Sequence, residues 1–382
     1  MKVGMITCWY KNVSTANYSY NLCTALSKYV DIKIISAPCM CWRYFVGEKD
    51  VFQSECEITY FPPYVHALEA EGSPKLFRIF LNLAMMTLQL LRGISYLAKC
   101  KDVDLIHYQQ TAAYSFGMVP LLIVLAIPTQ KRRVVTIHRL GLLTKFLSCL
   151  YRNADGIIVH SSDMKSKLLS FGVPEYKIRL VPHGAAIPPL LYLPRKEITF
   201  FGQPSEDKGF FTILLALKFL KDRGRMLRLY VYGIYSEMEK ERAIKMADEL
   251  GVSDLISWGG LLSESEFDRK MQQSIFTLAP YTRYVSGSSI VTRAMGNATP
   301  IIASNVGGIP EHLGDGGLLI PKNDPEALAK AMIKLIEDET LREMLSEKGR
   351  RRAEAISWDN IAKITIGIYR ECMEKMNFTK IL

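Results

Sequence analysis

Residues 281–319 read YTRYVSGSSIVTRAMGNATPIIASNVGGIPEHLGDGGLL, and this stretch decides the fold. The order of residue types predicts a strand end, a polar loop, a helix, a second strand, a Gly-Gly turn and a short final strand. The loop, residues 286–289, runs directly into the helix, so unpaired backbone N–H groups and the positive end of the helix dipole face one point. The stretch therefore predicts a nucleotide-binding α/β domain that holds phosphate at a helix N-terminus.

Short β-branched runs alternate with longer amphipathic segments along the whole chain. Examples are VGMIT, VDLIHY and VVTIH in the first half, and EITFFG, IFTLAP and TPIIAS in the second. This alternation predicts doubly wound parallel sheets, and 382 residues are too many for one ordinary core. We predict an N-terminal domain over 1–185, a proline-containing linker over 186–196, a C-terminal domain over 197–357 and a final helix over 358–382.

Composition restricts the classes of function. The chain is 49% hydrophobic and 23% charged, as in a folded protein, and its eight cysteines lack the paired spacing of a zinc site. The start, MKVGMITCWY, does not resemble a signal peptide. The apolar stretches 76–98 and 116–128 are interrupted or short, so we predict buried or surface-lying helices rather than membrane spans. We therefore expect a cytoplasmic protein without a metal site.

Positive charge is concentrated in the first half. Residues 1–196 hold 23 Lys and Arg against 12 Asp and Glu, whereas residues 197–382 hold 25 against 26. This asymmetry favours an anionic partner such as a membrane surface or an acidic glycan, and a solvated basic face is the alternative. Nucleic acid is disfavoured because no recognition module accompanies the charge.

Histidines close several predicted strands: His107, His138, His160 and His183. Ligands of open parallel sheets bind beyond the carboxyl ends of the strands, so these side chains lie near the expected site. His138 is the preferred functional residue. A hydrogen-bonded residue at the sheet edge is the alternative for each.

A second candidate phosphate loop runs from Gly202 to Gly209 as GQPSEDKG, after one strand and before the next helix. Gly202 permits a tight turn, and Lys208 places a point charge where a diphosphate could bind.

Three segments together resemble retaining glycosyltransferases of the GT-B fold, in the large family numbered four. They are residues 154–184, the Lys208-Gly209 turn and residues 298–332, in the order and spacing of that family. The resemblance covers roughly 104–382 well and 1–103 loosely. It implies an α/β fold of two facing Rossmann-like domains with a cleft between them, and a nucleotide-diphosphate sugar as donor. It also implies retention of configuration without a metal or other cofactor, and a glycan, lipid-linked or small-molecule acceptor, with possible peripheral attachment to an anionic membrane face.

The resemblance implies catalytic roles for His138 and Lys208. It assigns substrate binding to a second group of residues along the two donor loops, the following helix and the first loop of the chain. These are Asn17, Gly202, Gln203, Gly209, Ser286, Gly287, Ser288, Ser289 and Arg293.

The chain departs from the family at its acidic motif, Glu-x-x-x-x-x-x-x-Glu. Val285 and Arg293 occupy the two glutamate positions, and Gln203 occupies the position of a usual arginine. Arg293 could instead pair with a phosphate or a base, or be an exposed helix arginine. The rival functions are a degenerate protein that binds nucleotide-sugar or glycan without transfer, and a GT-B epimerase. An NAD-dependent oxidoreductase is disfavoured because no G-x-G-x-x-G follows the first strand.

Overall fold

The structure is a computed structural model. It describes residues 1–8, 14–37, 54–60, 87, 90–110, 119–140, 144–145, 148–233, 235 and 237–379. The predicted apolar stretches 76–98 and 116–128 lie partly outside these residues. Asn17, predicted in the first loop, lies in a helix that begins at Ser14.

Thirteen strands are present in the described residues and form two sheets. They are β1 Lys2–Cys8, β2 Asp31–Ala37, β3 Glu57–Tyr60, β4 Leu105–Gln110, β5 Arg132–Ile137, β6 Gly156–Val159, β7 Ile178–Leu180, β8 Glu197–Phe201, β9 Leu229–Tyr232, β10 Ile256–Gly260, β11 Ser274–Ala279, β12 Ile301–Ser304 and β13 Leu318–Ile320. Strand pairing is parallel throughout, and β4, β6 and β12 are buried along their whole length. The predicted α/β class is confirmed.

The α-helices with defined bounds are α1 Ser14–Leu26, α2 Val119–Ala126, α3 Ser148–Tyr151, α4 Ser162–Ser170, α5 Phe210–Lys221, α6 Glu237–Glu249, α7 Glu264–Gln272, α8 Ser289–Gly296, α9 Ile309–Leu313, α10 Pro325–Glu337, α11 Glu339–Ala355 and α12 Trp358–Thr379. Residues 90–99 are helical as well. Side-chain caps fix several starts: Ser263 and Glu266 form a capping box on α7, and Asp324 accepts from the Ala327 N–H at the start of α10.

The strand order of both sheets reverses once. The first sheet runs β3-β2-β1-β4-β5-β6-β7, and the second runs β10-β9-β8-β11-β12-β13. In the second sheet, β8 and β11 are neighbours at the point of reversal, and both predicted phosphate loops leave from their carboxyl ends. Open α/β sheets bind ligands at this point because the connecting helices leave in opposite directions there.

The chain divides into two compact units. One contains Met1–Pro182 together with Trp358–Leu382, and the other contains His183–Ser357. The last helix, α12, therefore belongs to the first unit. The segment 186–196 is bound to the second unit: the Gln272 side chain donates to the Pro189 carbonyl over 3.0 Å, and Arg195 donates to the Ala298 carbonyl over 2.7 Å.

Candidate functional site

The loop between β8 and α5 is held against the loop after β11. Gly209 has a φ of 73°, and a Cβ there would lie 1.7 Å from the Pro280 carbonyl oxygen. Only glycine fits so close an approach in this left-handed conformation. Thr282 completes the junction, because its N–H donates to the Asp207 carbonyl over 3.2 Å and its hydroxyl to the Glu206 carbonyl over 2.9 Å. The two predicted phosphate loops are thus bonded directly to each other.

Lys208 lies on an aromatic ring at this junction. Its Nζ is 4.4 Å from the ring centroid of Tyr281, a distance at which the ring attracts a cation. The Tyr281 hydroxyl lies 3.0 Å from Ser288 Oγ, and Ser288 caps α8 by accepting from the Val291 N–H. Tyr281 and Ser288 are both buried. The tyrosine therefore connects the lysine ammonium to the N-terminus of α8.

Tyr281 is a site residue that the sequence did not predict. The signal available was an aromatic residue two positions after a mostly buried strand, between the two candidate loops.

Gly287 lies where the loop passes over a buried histidine ring. A Cβ at this position would be 2.5 Å from His312 Cε1 and 3.4 Å from His183 Cβ. A larger residue would push the backbone away from α9. The Gly308 N–H donates to the Val285 carbonyl over 2.8 Å, so the loop is also tied to the turn that precedes α9. Ser286 is half-buried, and Ser289 is exposed at the first position of α8.

Gln203 and Gly202 are held by their own neighbours. The Gln203 side-chain amide lies 2.9 and 3.0 Å from the two carboxylate oxygens of Glu239 on α6. The Gly202 N–H donates to the Tyr232 carbonyl over 2.8 Å. Gln203 thus links the loop to α6 through a carboxylate, which an arginine at this position would also do.

Arg293 has partners on the neighbouring helix. Its Nε lies 2.9 Å from an Asp268 carboxylate oxygen, and its Nη2 lies 2.8 Å from Glu264. The guanidinium carbon is also 3.8 Å from the ring centroid of Phe267. Glu264 and Asp268 are one turn apart on α7, so both carboxylates reach one guanidinium. The structure directs this arginine toward α7 and leaves it mostly buried.

In the first unit, His138 follows β5 and lies in a row of polar side chains. Its Nε2 is 2.8 Å from Gln109 Oε1, and its Nδ1 is 3.2 Å from His160 Nε2. His160 Nδ1 is 2.9 Å from the Val181 carbonyl oxygen. Tyr18 of α1 packs edge-on against the His138 ring, with the centroids 4.6 Å apart. Both histidines were predicted as strand-end residues, whereas Gln109 was not predicted.

His107 continues this row into the core. Its Nδ1 is 2.5 Å from the Tyr369 hydroxyl, its Nε2 is 2.7 Å from Thr136 Oγ1, and Gln109 Nε2 is 3.2 Å away. Burial lowers the pKa of His107 to about 3, because the charged imidazole loses its hydration. His107 is therefore neutral at physiological pH.

Asn17 lies on α1 of the first unit and is exposed, and its carbonyl accepts from the Asn21 side chain over 2.7 Å. The structure therefore gathers Lys208, Gly209 and Ser288 in the second unit, while His138 and Asn17 are in the first. Within the described ranges, no group of three or more His, Cys, Asp or Glu side chains is placed to hold a metal ion.

Comparisons with known proteins cover nearly the whole chain. Residues 188–352 match the family described as "Glycosyl transferases group 1", and residues 16–187 match "Glycosyltransferase Family 4". A D-inositol 3-phosphate glycosyltransferase of Streptomyces bingchenggensis is 33% identical over 136 residues, which are 35% of this chain and 30% of that protein. The chain thus spans about a third of the length of this relative.

Several solved structures share the fold. Sucrose-phosphate synthase from Thermosynechococcus elongatus superposes with a TM-score of 0.76 at 19% identity, covering 98% of this chain and 100% of that one. Anabaena HepE in complex with UDP superposes with a TM-score of 0.72 at 13% identity, covering 97% and 100%. Of the helices that the structure describes, none is both long enough and apolar enough to cross a bilayer.

Proposed function

The chain belongs to the group 1 glycosyltransferases of the GT-B fold, and from that premise we propose that it transfers a sugar from a nucleotide-diphosphate sugar to an acceptor. The acceptor is a glycan, a lipid-linked sugar or a small molecule. The transfer retains the anomeric configuration and uses no metal ion.

One observation carries the proposal: the connection from Lys208 through Tyr281 to Ser288. It fixes an ammonium group and the N-terminus of α8 at the reversal point of one parallel sheet. Both features favour negative charge, and neither must reorganise when the charge develops. A diphosphate leaving group would develop its charge at such a point, which supports the class of donor.

A known nucleotide complex supports the same class. The Anabaena neighbour binds UDP, and its fold is that of this chain. The lysine and the helix N-terminus supply the positive charge that a metal would otherwise provide, which supports transfer without a metal.

A second candidate function is binding of nucleotide-sugar without transfer. It is favoured by the replacements at the acidic motif, where Val285 has no hydrogen-bonding side chain and Arg293 is engaged by Asp268 and Glu264. Hydroxyl groups of a donor would then lack two acceptors that the family supplies.

A screen of nucleotides and nucleotide-sugars by thermal shift, followed by product analysis with each stabilising compound, tests the proposal. We expect stabilisation by one nucleotide-diphosphate sugar, release of the free nucleotide and retained anomeric configuration in the sugar product by NMR. Activity should persist in EDTA. Stabilisation without turnover would favour the binding protein. Turnover that requires Mg²⁺ or Mn²⁺ would overturn the metal-free step.

A further inference from the structure

The polar row in the first unit crosses the carboxyl ends of neighbouring strands. Gln109 lies on β4, His138 follows β5, His160 follows β6 and Val181 follows β7. Gln109 and His160 are each 1% exposed, whereas His138 is only half-buried. His138 is therefore the member of the row that is open to solvent, and the other two are supports within the protein.

The bonds of this row fix the number of protons on the two imidazoles. A carbonyl oxygen accepts only, so His160 Nδ1, 2.9 Å from the Val181 oxygen, carries a proton. His138 Nε2 faces Gln109 Oε1 over 2.8 Å, and by the same reasoning it carries a proton. Between His138 Nδ1 and His160 Nε2, 3.2 Å apart, one further proton is needed, because two lone pairs would repel. Two rings that hold three protons carry one positive charge.

The alternative is a neutral pair with a reversed Gln109 amide. Side-chain amide orientation follows from the hydrogen-bond network. With the amide nitrogen toward His138, that ring would accept at Nε2, donate from Nδ1 to His160, and leave both imidazoles neutral. In the structure, the amide nitrogen points instead to Met5 Sδ, at 3.6 Å, and to His107 Nε2, at 3.2 Å. Neutral His107 can accept there and donate from Nδ1 to Tyr369, so the amide orientation seen is self-consistent.

Among the described residues, four titratable side chains around the row are neutral near pH 7. Burial lowers the pKa of His107 and raises the pKa values of Tyr18 and Cys23 on α1 and of Tyr369 on α12. Tyr18 packs on both imidazoles, with centroid distances of 4.6 Å to His138 and 5.1 Å to His160. None of these four neighbours carries a charge of its own at this pH.

We propose that Gln109 and His160 are positioning residues for His138, and that they make His138 and His160 share one positive charge. Gln109 fixes the proton on His138 Nε2, and His160 fixes the proton between the rings. His138 thereby presents a cationic ring edge at the carboxyl end of the first sheet. The role in transfer rests on the proposed function, whereas the proton arrangement does not.

The proton arrangement is tested by ¹⁵N NMR of the histidine-labelled full chain at pH 7, without added ligand. A charged pair has one unprotonated ring nitrogen, and a neutral pair has two. For the assigned His138 and His160 signals, we expect one in the wild-type protein and two in Gln109→Met, which keeps the length of the side chain and loses its acceptor. Gln110→Met is the matched control, because this equally buried glutamine is next on β4 and points to the opposite face. Two unprotonated nitrogens in the His138–His160 pair of the wild-type protein would overturn the inference.

The role in transfer is tested by the pH profile of kcat/KM with the donor found in the thermal-shift screen. We expect activity to fall as pH rises through the titration of the pair, and this limb to move to lower pH in Gln109→Met and not in Gln110→Met. An unchanged profile in a folded Gln109→Met protein would contradict the positioning role. A charged pair in a protein without any transferase activity would instead leave the proton arrangement standing and refute the proposed function.

Discussion

At the scale of single residues, the contact that positions the Lys208 ammonium is an aromatic face. A carboxylate would neutralise the lysine before a phosphate arrived, whereas a ring orients the charge and leaves its hydrogen-bond donors available. This distinguishes Lys208 from Lys218 of the following helix α5, which is paired with Asp222 over 2.9 Å.

Lys208→Ala is expected to reduce kcat/KM by an amount equivalent to about 2–4 kcal/mol, the cost of losing one preorganised charge at a developing anion. Lys218→Ala, on an exposed ion pair, should leave kcat/KM unchanged. Steady-state kinetics of both variants, with circular dichroism to show folding, make the measurement. Equal activity of wild type and a folded Lys208→Ala protein would remove this lysine from the site.

Tyr281 has two separable functions, one for its ring and one for its hydroxyl. Tyr281→Phe keeps the ring beside Lys208 and removes the bond to Ser288, so we expect a stability loss of about 1 kcal/mol and little change in nucleotide affinity. Tyr281→Leu also removes the ring and should weaken nucleotide binding by about 0.5–1 kcal/mol more. Thermal unfolding and calorimetric titration measure the two effects. Equal affinities of the Phe and Leu variants would show that the ring does not position the lysine.

Much of this site could be predicted from the sequence, and the reason is local. Lys208, Gly209 and Ser288 each sit in a strand-loop-helix pattern that is readable within about ten residues. Tyr281 could not be assigned a role in that way, because its value depends on two loops that are distant in sequence and adjacent through β8 and β11. The same holds for Gln109, whose partner His138 follows a different strand, β5.

At the scale of elements, the junction of the two loops depends on one backbone approach. Gly209 and Gly224 have nearly the same φ, 73° and 74°, but a Cβ at Gly224 would meet nothing within 4 Å. Gly224→Ala should therefore cost only the left-handed conformation, about 1–2 kcal/mol. Gly209→Ala must in addition displace the Pro280 carbonyl and should cost about 1–3 kcal/mol more. Thermal unfolding of both variants gives the comparison, and equal destabilisation would show that the approach is easily relaxed.

The contact between helices α8 and α7 gives Arg293 partners that were not predicted from the sequence. The sequence offered a phosphate, a base or solvent as its partner, whereas the structure gives it Asp268 and Glu264 of α7. The spacing of those two acids predicts that they share one face of α7. The order of the strands in the sheet decides which helix packs against α7. The periodicity of a single segment cannot predict this.

At the scale of the molecule, the excess positive charge of residues 1–196 accompanies exposed apolar side chains. In the helical segment 90–99, Leu91 and Ile94 are 57% and 50% exposed, and Lys99 and Lys101 follow. Apolar side chains beside basic residues are typical of proteins that bind anionic membrane surfaces, where each basic group contributes about 1 kcal/mol.

We expect the protein to float with vesicles that contain anionic lipid and to lose this binding as salt is raised, because salt screens the attraction. Leu91→Ser with Ile94→Ser should weaken flotation. Met238→Ser is the control, since Met238 is 68% exposed in the other unit. A protein that stays unbound at low ionic strength would show that the basic half is only a solvated surface.

The second unit is an uninterrupted insertion in the first, and this sets an order of events during synthesis. Ala185 and Ser357 form a parallel bridge, and the Ala185 N–H donates to the Ile356 carbonyl over 2.9 Å, so the inserted chain starts and finishes side by side. A ribosome must release residues 183–357 before α12 is available. Until then, His107 of the nascent first unit lacks its hydrogen bond to the Tyr369 hydroxyl. The inserted unit can form its own sheet during this time. Helix α12, which is made after the inserted unit, contributes Tyr369 to the interior of the first unit.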